Sequence, residues 1–233
     1  MSARKKVAIL ISGRGSNMAA LIQAAAERDY PAEIAVVISD NPDATGLKLA
    51  ASKGIASGVV ERKNFQSKAA HDEAIDQAVR SAGAELIALA GYMRLLSRSF
   101  VEKWQGRMIN IHPSLLPLFK GLVPHRQALA AGVRVHGASV HFVTPDMDDG
   151  PIIAQAAVPV LVGDSEAELT ARVLKAEHQL YPVALRMLAE GKVRMEGDRT
   201  QFVSVNDTSA GMIAAPSPAD DVLDLQHLAR ITP

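Results

Sequence analysis

Between residues 6 and 112, short β-branched runs alternate with alanine-rich stretches of helical period, and this restricts the chain more than any other feature. The runs are "KVAILIS" (6–12), "EIAVVIS" (33–39), "ASGVVE" (56–61), "AELIALAG" (84–91) and "RMINIH" (107–112). Between the first two, Met18, Leu21, Ile22 and Ala25 recur at i, i+3, i+4 and i+7, which makes one apolar helical face. Helices are also predicted over "ATGLKLAASK", stopped at Gly54, over "AAHDEAIDQAVRSAG", ending at Gly83, and around "SRSFVEKWQG". Such alternation predicts an α/β protein, with parallel strands joined by crossover helices. The first run is apolar at successive positions and reads as a strand buried on both faces.

Past Pro113 the pattern loosens into "PSLLPLFKGLVPHRQALAAG", with one short helix expected at 125–131. Two further strands, "GASVHFVT" and "PIIAQAAVPV", flank the acidic turn "PDMDDG". Residues 165–191 read as one long helix opened by a capping box from Ser165 to Glu168, with a break expected near Pro182. A length of 233 residues suits one well-buried core, so residues 1–197 are expected to form one domain. Residues 198–233, rich in Ala, Ser and Pro, are expected to be a loosely packed extension.

The 25 basic and 25 acidic side chains cancel, so charge gives no reason to expect a nucleic-acid partner. No run of 18 apolar residues is present, and the first residues do not read as a signal peptide, so a soluble, cytoplasmic protein is expected. The absence of cysteine excludes disulfides, thiolate zinc sites and thiol nucleophiles, and fits a reducing compartment.

Two clusters carry chemistry. The loop "SGRGSN" (12–17) joins the first strand to the first helix, where free amides and the helix dipole hold anions. Counting G-x-G-x-x-G from Gly13 puts Met18 in the third glycine slot, and no Gly-Lys-Ser/Thr is present, so neither dinucleotide nor Walker fingerprints are met. Asp40, closing the second run, is the one acid placed to serve a ribose. A small phosphate site on Gly15, Ser16 and Asn17 remains, and so does an ordinary tight turn with an Asn or Ser cap. Arg14 reads as either a phosphate contact or a solvated loop residue.

In the second cluster, "RMINIH", residues two apart on a strand face the same way, so Asn110 and His112 share a face opposite Ile109 and Ile111. They close a strand whose carboxyl end is where open α/β sheets bind ligands. An amide donor and an imidazole suit stabilisation of an oxyanion or a proton shuttle, and Asp146, Asp148 or Asp149 offers the histidine a partner. An ordinary hydrogen-bonded histidine satisfies the same pattern. Metal binding is not indicated: the seven histidines are scattered, and the acidic turn lacks the alternation of a calcium loop.

The blocks "ISGRGSN", "LAGYMRLLS", "INIHPSLLP", "HGASVHFV", "DMDDGPII" and "AEHQLYP" occur in the order and spacing of one family, and over residues 6–195 the chain resembles the phosphoribosylglycinamide formyltransferases. The resemblance implies a Rossmann-like formyltransferase fold, a mostly parallel twisted sheet of about seven strands flanked by helices. It implies formyl transfer from 10-formyltetrahydrofolate to the amino group of glycinamide ribonucleotide, in purine biosynthesis and without a metal. By position it implies Asn110, His112 and Asp148 as catalytic residues. Gly15, Ser16, Asn17 and Glu177 match the ribonucleotide side. Lys68, Met93, Arg94, Leu95 and Leu96, with Asn110, match the folate side.

Relatives often place a polar pair where this chain has Val123 and Pro124, a Lys where it has Leu174 beside Lys175, and an Arg where it has Lys68. The partners implied are small molecules, and the chain is expected to be a monomer or homodimer. Competing readings are a formyltetrahydrofolate hydrolase, a methionyl-tRNA formyltransferase and a non-catalytic nucleotide-binding module. The hydrolase is expected to add an N-terminal domain, and the tRNA enzyme a basic C-terminal one. The module leaves Asn110, His112 and Asp148 without a role.

Overall fold

The structure is a computed structural model, and it describes residues 3–203. The strands are β1 (Lys5–Ile11), β2 (Ala32–Ser39), β3 (Ser57–Val59), β4 (Leu86–Leu89), β5 (Met108–His112), β6 (Val135–Phe142) and β7 (Ile152–Pro159). They form one seven-stranded sheet in the order β3-β2-β1-β4-β5-β6-β7. Strands β1 to β5 pair in parallel, and β6 and β7 are antiparallel. The parallel part needs crossover helices, and α1 (Ser16–Ala25), α2 (Thr45–Ser52), α3 (Lys68–Ser81) and α4 (Arg98–Lys103) supply them. The antiparallel part needs none, which is why the punctuated segment after Pro113 holds only α5 (Pro124–Ala130).

Alternation along β1 sorts the core into two layers. Val7, Ile9 and Ile11 pack with residues of α1 and with α6 (Glu166–Ala189), whereas Ala8 and Leu10 pack with residues of α3 and α4. On β5, Ile109 and Ile111 join the first layer and Met108 the second. Asn110 and His112 therefore project from the α3 and α4 side, as strand periodicity requires.

The long helix differs from expectation at Pro182, where α6 runs through without a break. Its buried positions Leu169, Val173, Glu177, Tyr181, Ala184 and Leu188 keep one phase across the proline. A break would lift one half of that stripe off the sheet, which costs more than the single backbone bond a proline removes. The Tyr30 hydroxyl donates to the Pro182 carbonyl at 2.7 Å, and the Tyr181 hydroxyl donates to the carbonyls of Leu89 and Ile109. The capping box at Ser165 and Glu168 is present as expected.

A hairpin, β8 (Val193–Glu196) and β9 (Arg199–Phe202), crosses the boundary expected at residue 197. Val193 is buried in the core beside Leu188, so residues 199–202 stay with the domain through strand pairing. The rest of the expected extension, 204–233, lies outside the described residues. Among the described residues no helix is long and apolar enough to cross a membrane.

Candidate active site

Strand order reverses at β1, which has β2 on one side and β4 on the other, so the carboxyl ends of β1 and β4 border a crevice. The glycine loop leaves β1 there, residues 91–97 leave β4, and Asn110 and His112 end β5. Backbone bonds tie these edges together: Ser12 N–H donates to Gly91 O at 3.1 Å, and Met93 N–H donates to Ser12 Oγ at 2.8 Å.

The glycine loop turns into α1 through Gly15 at φ 72. A Cβ there would sit 2.9 Å from the Met18 side chain and 3.2 Å from the Gly46 backbone, so only glycine fits. No side chain caps α1, which sets aside the capped-turn reading of the loop. Among the described residues the amides of Gly15, Ser16 and Asn17 take no protein partner, as an anion-binding helix start requires. Asn17 Nδ2 instead donates to Glu177 Oε2 on α6 at 2.6 Å, so two residues expected on the ribonucleotide side meet in space. Burial pushes the Glu177 carboxyl up, against the lowering effect of the Asn17 bond. Arg14 is exposed.

At the end of β5, His112 is buried, and its ring is held from both ends. Nδ1 lies 3.4 Å from Asp148 Oδ2, and Nε2 lies 2.9 Å from the Phe119 carbonyl. Both nitrogens thus face acceptor oxygens, which fixes the plane of the ring. Of the three acids in the turn, Asp148 reaches the histidine, Asp149 pairs with Lys120, and Asp146 is exposed. Asp148 sits at φ 51 and also accepts the Gly121 N–H at 2.9 Å. A non-glycine residue in this region is held by its surroundings.

His141 is the residue that sequence reasoning passed over. It lies directly across from Asn110 in the β5–β6 pairing. Its Nδ1 faces the Phe142 carbonyl at 2.8 Å, so that nitrogen carries the proton and Nε2 accepts from Asn110 Nδ2 at 3.3 Å. Burial, opposed by the Phe142 carbonyl and Asp148, keeps the imidazole below its ordinary pKa. One Asn110 N–H is thereby committed, and the amide orientation is set. Only the strand register could have revealed this.

Of the residues expected on the folate side, Lys68, Met93, Arg94 and Leu95 border one cavity of about 400 Å³ with Arg62, His71 and Asp72. Leu96 turns inward and packs against the α3 and α4 layer. The peptide groups of Arg94, Leu95 and Leu96 have no hydrogen-bond partner among the described residues, so they are open to a ligand. Val123 and Pro124 form the entry to α5: Val123 is left-handed at φ 56, and Pro124 takes the first turn, where its missing N–H costs nothing. Neither side chain can act as a donor. Among the described residues no group of three or more His, Cys, Asp or Glu is arranged to hold a metal.

A helix start with free amides, an Asn–His–Asp set centred on buried His112 and an open peptide run border one crevice of an α/β enzyme, an arrangement suited to an anion and to developing negative charge. The chain belongs to the formyl transferase family, whose model matches residues 5–185. It is 44% identical to the phosphoribosylglycinamide formyltransferase of Escherichia coli (strain K12) over 189 residues, 81% of this chain and 89% of that protein. It is 48% identical to the trifunctional purine biosynthetic protein adenosine-3 of Bos taurus over 192 residues, 82% of this chain. The match spans only 19% of that longer protein. The crystal structure of phosphoribosylglycinamide formyltransferase from Brucella melitensis superposes with a TM-score of 0.79 at 50% identity, over 91% of this chain and 99% of that one.

Proposed function

We propose that this chain transfers a formyl group from 10-formyltetrahydrofolate to the amino group of glycinamide ribonucleotide, giving formylglycinamide ribonucleotide and tetrahydrofolate in purine biosynthesis. The observation that carries the reading is His112, buried at the end of β5 with Asp148 3.4 Å from its Nδ1 and Asn110 on the same strand face, at the sheet end where α1 starts with free amides. Proteins named for this activity are similar to it over 81% and 91% of its length. Both substrates are small soluble molecules, which suits a cytoplasmic enzyme acting as a monomer or homodimer.

In this reading the amides of Gly15, Ser16 and Asn17 bind the phosphate, and Glu177 contacts the same substrate. The free peptide groups of Arg94, Leu95 and Leu96 bind the pterin, with Lys68 and Met93 on the same side. The substrate amine attacks the formyl carbon. As the formyl oxygen becomes anionic it takes the free N–H of Asn110 and replaces the Phe119 carbonyl as acceptor of the His112 Nε2 proton. Asp148, 3.4 Å from Nδ1, holds the ring so that Nε2 faces that oxygen. The bond from the formyl carbon to the folate nitrogen then breaks, and the proton lost by the amine ends on that nitrogen. No metal takes part.

The test mixes the protein with both substrates and follows deformylated folate with and without the ribonucleotide. Folate production that depends on the ribonucleotide is expected. Production without it identifies a hydrolase, and none at all identifies a binding module. Asn110→Ala and His112→Ala should each lower kcat by about a hundred- to a thousandfold. Near-normal turnover in either variant would remove that residue from the mechanism.

A further inference from the structure

We propose that Asp40 is a positioning residue for the acyl-donor site and that it acts through Arg94. Asp40 follows β2, and its side chain is only 6% exposed. Its Oδ2 accepts from Arg94 Nε at 2.5 Å. Oδ1 is buried and has no partner, so among the described residues Arg94 is the single polar group this carboxylate serves. That commitment rules out the ribose-binding role open to Asp40 in a dinucleotide site.

The run from Met93 to Ser97 has no regular secondary structure and has three polar attachments. Met93 N–H is held by Ser12 Oγ at 2.8 Å, and Ser97 N–H by Asp72 Oδ2 at 2.7 Å. Both hold the ends. Between them Leu96 packs on the α3 and α4 layer, and Asp40 makes the one polar hold among the described residues, where the peptide groups of Arg94, Leu95 and Leu96 are otherwise unbonded. A segment whose own polar groups must stay free for a ligand cannot be ordered by backbone pairing, so its order has to come from side chains. Asp40 supplies it, and the ordering cost is met before the ligand arrives.

The contact uses Nε, so both terminal nitrogens of the Arg94 fork remain available on the cavity that Lys68 and Arg62 also border. Asp40 thus sets both the shape of the run and the direction of one of its cations. Ionic partners of this kind are stronger and more directional than neutral ones.

The inference rests on the folate reading of the cavity, and its test keeps the two apart. Asp40→Ala, Asp40→Asn, Arg94→Leu and the Asp40→Ala/Arg94→Leu double variant are compared by steady-state kinetics, and tetrahydrofolate binding is measured by calorimetry. Asp40→Ala should raise KM for 10-formyltetrahydrofolate about tenfold, with kcat and KM for the ribonucleotide unchanged. Asp40→Asn, which keeps an acceptor oxygen, should recover part of the loss, and it replaces the alanine variant if that one fails to fold. In the double variant the Asp40 change should add nothing to the effect of Arg94→Leu. Multiplicative effects, or equal increases in both KM values together with a lowered Tm, overturn the proposal. Wild-type protein that fails to bind tetrahydrofolate overturns the folate reading; wild-type and Asp40→Ala proteins that bind it equally overturn only the role of Asp40.

Discussion

Asn110 donates one amide N–H to Nε2 of His141, its direct partner across the β5–β6 pairing, at 3.3 Å. The bond exists because the Phe142 carbonyl fixes the proton of His141 on Nδ1, 2.8 Å away. The orientation of the amide is thus inherited from a neighbouring strand.

Replacing His141 with leucine should free the Asn110 amide to rotate. We expect kcat to fall about tenfold, less than the loss from deleting an oxyanion donor, with both KM values retained. Steady-state kinetics of the variant check this, and an unchanged kcat would mean that other contacts orient Asn110.

Gly150 lets the turn bearing Asp148 return tightly to the sheet. A Cβ at this position would lie 1.7 Å from the Phe142 carbonyl, a backbone atom that cannot yield. Gly150→Ala should therefore displace Asp148 from His112, with a fall in kcat of at least about tenfold and a lower Tm. A crystal structure of the variant with the 3.4 Å His112–Asp148 approach intact would contradict this.

Glu177 is buried and linked to Asn17, and its proposed partner is the ribonucleotide. Glu177→Gln keeps the shape and an acceptor for Asn17 but removes the charge. KM for the ribonucleotide should rise about tenfold while KM for the folate stays put. An equal change in both would assign Glu177 to packing alone.

Acid should weaken the fold through its histidines. Burial first, and then neighbouring His125 and His112, bring His136 down from the ordinary 6.5 to about 4, against the pull of the Pro113 carbonyl. Between those values the unfolded chain binds the proton and the folded chain does not. Stability is therefore full above about pH 6.5 and drains as pH falls towards 4, by about 1.4 kcal/mol per unit. His125, His141 and His178 shift in the same direction, while Glu177, raised by burial, opposes them. Urea unfolding between about pH 7 and pH 4.5 measures the slope, which His136→Phe should flatten.

Much of the site was legible because local rules decide it. Strand period put Asn110 and His112 on one face, and the loop after the first strand needed glycine where the chain turns left-handed at Gly15. The six blocks in register added Asp148, Glu177 and the 93–96 run. Pro182 was misread because a local rule, proline breaking a helix, yielded to a tertiary one, the unbroken stripe of α6 on the sheet. The boundary at 197 was drawn on composition, which does not register the pairing of β8 with β9.

By itself the sequence determined the element order, the crossover topology of β1 to β5 and the residue types at the crevice, since these follow from periodicity and turn chemistry between near neighbours. Only the tertiary structure decided which side chains complete one another. Asp148 rather than Asp146 or Asp149 meets His112, His141 orients Asn110, and Asp40 turns from a candidate ribose ligand into the partner of Arg94. These pairings join residues 31 to 54 positions apart. At such separations, strand register and burial set the distances, and no local pattern records either.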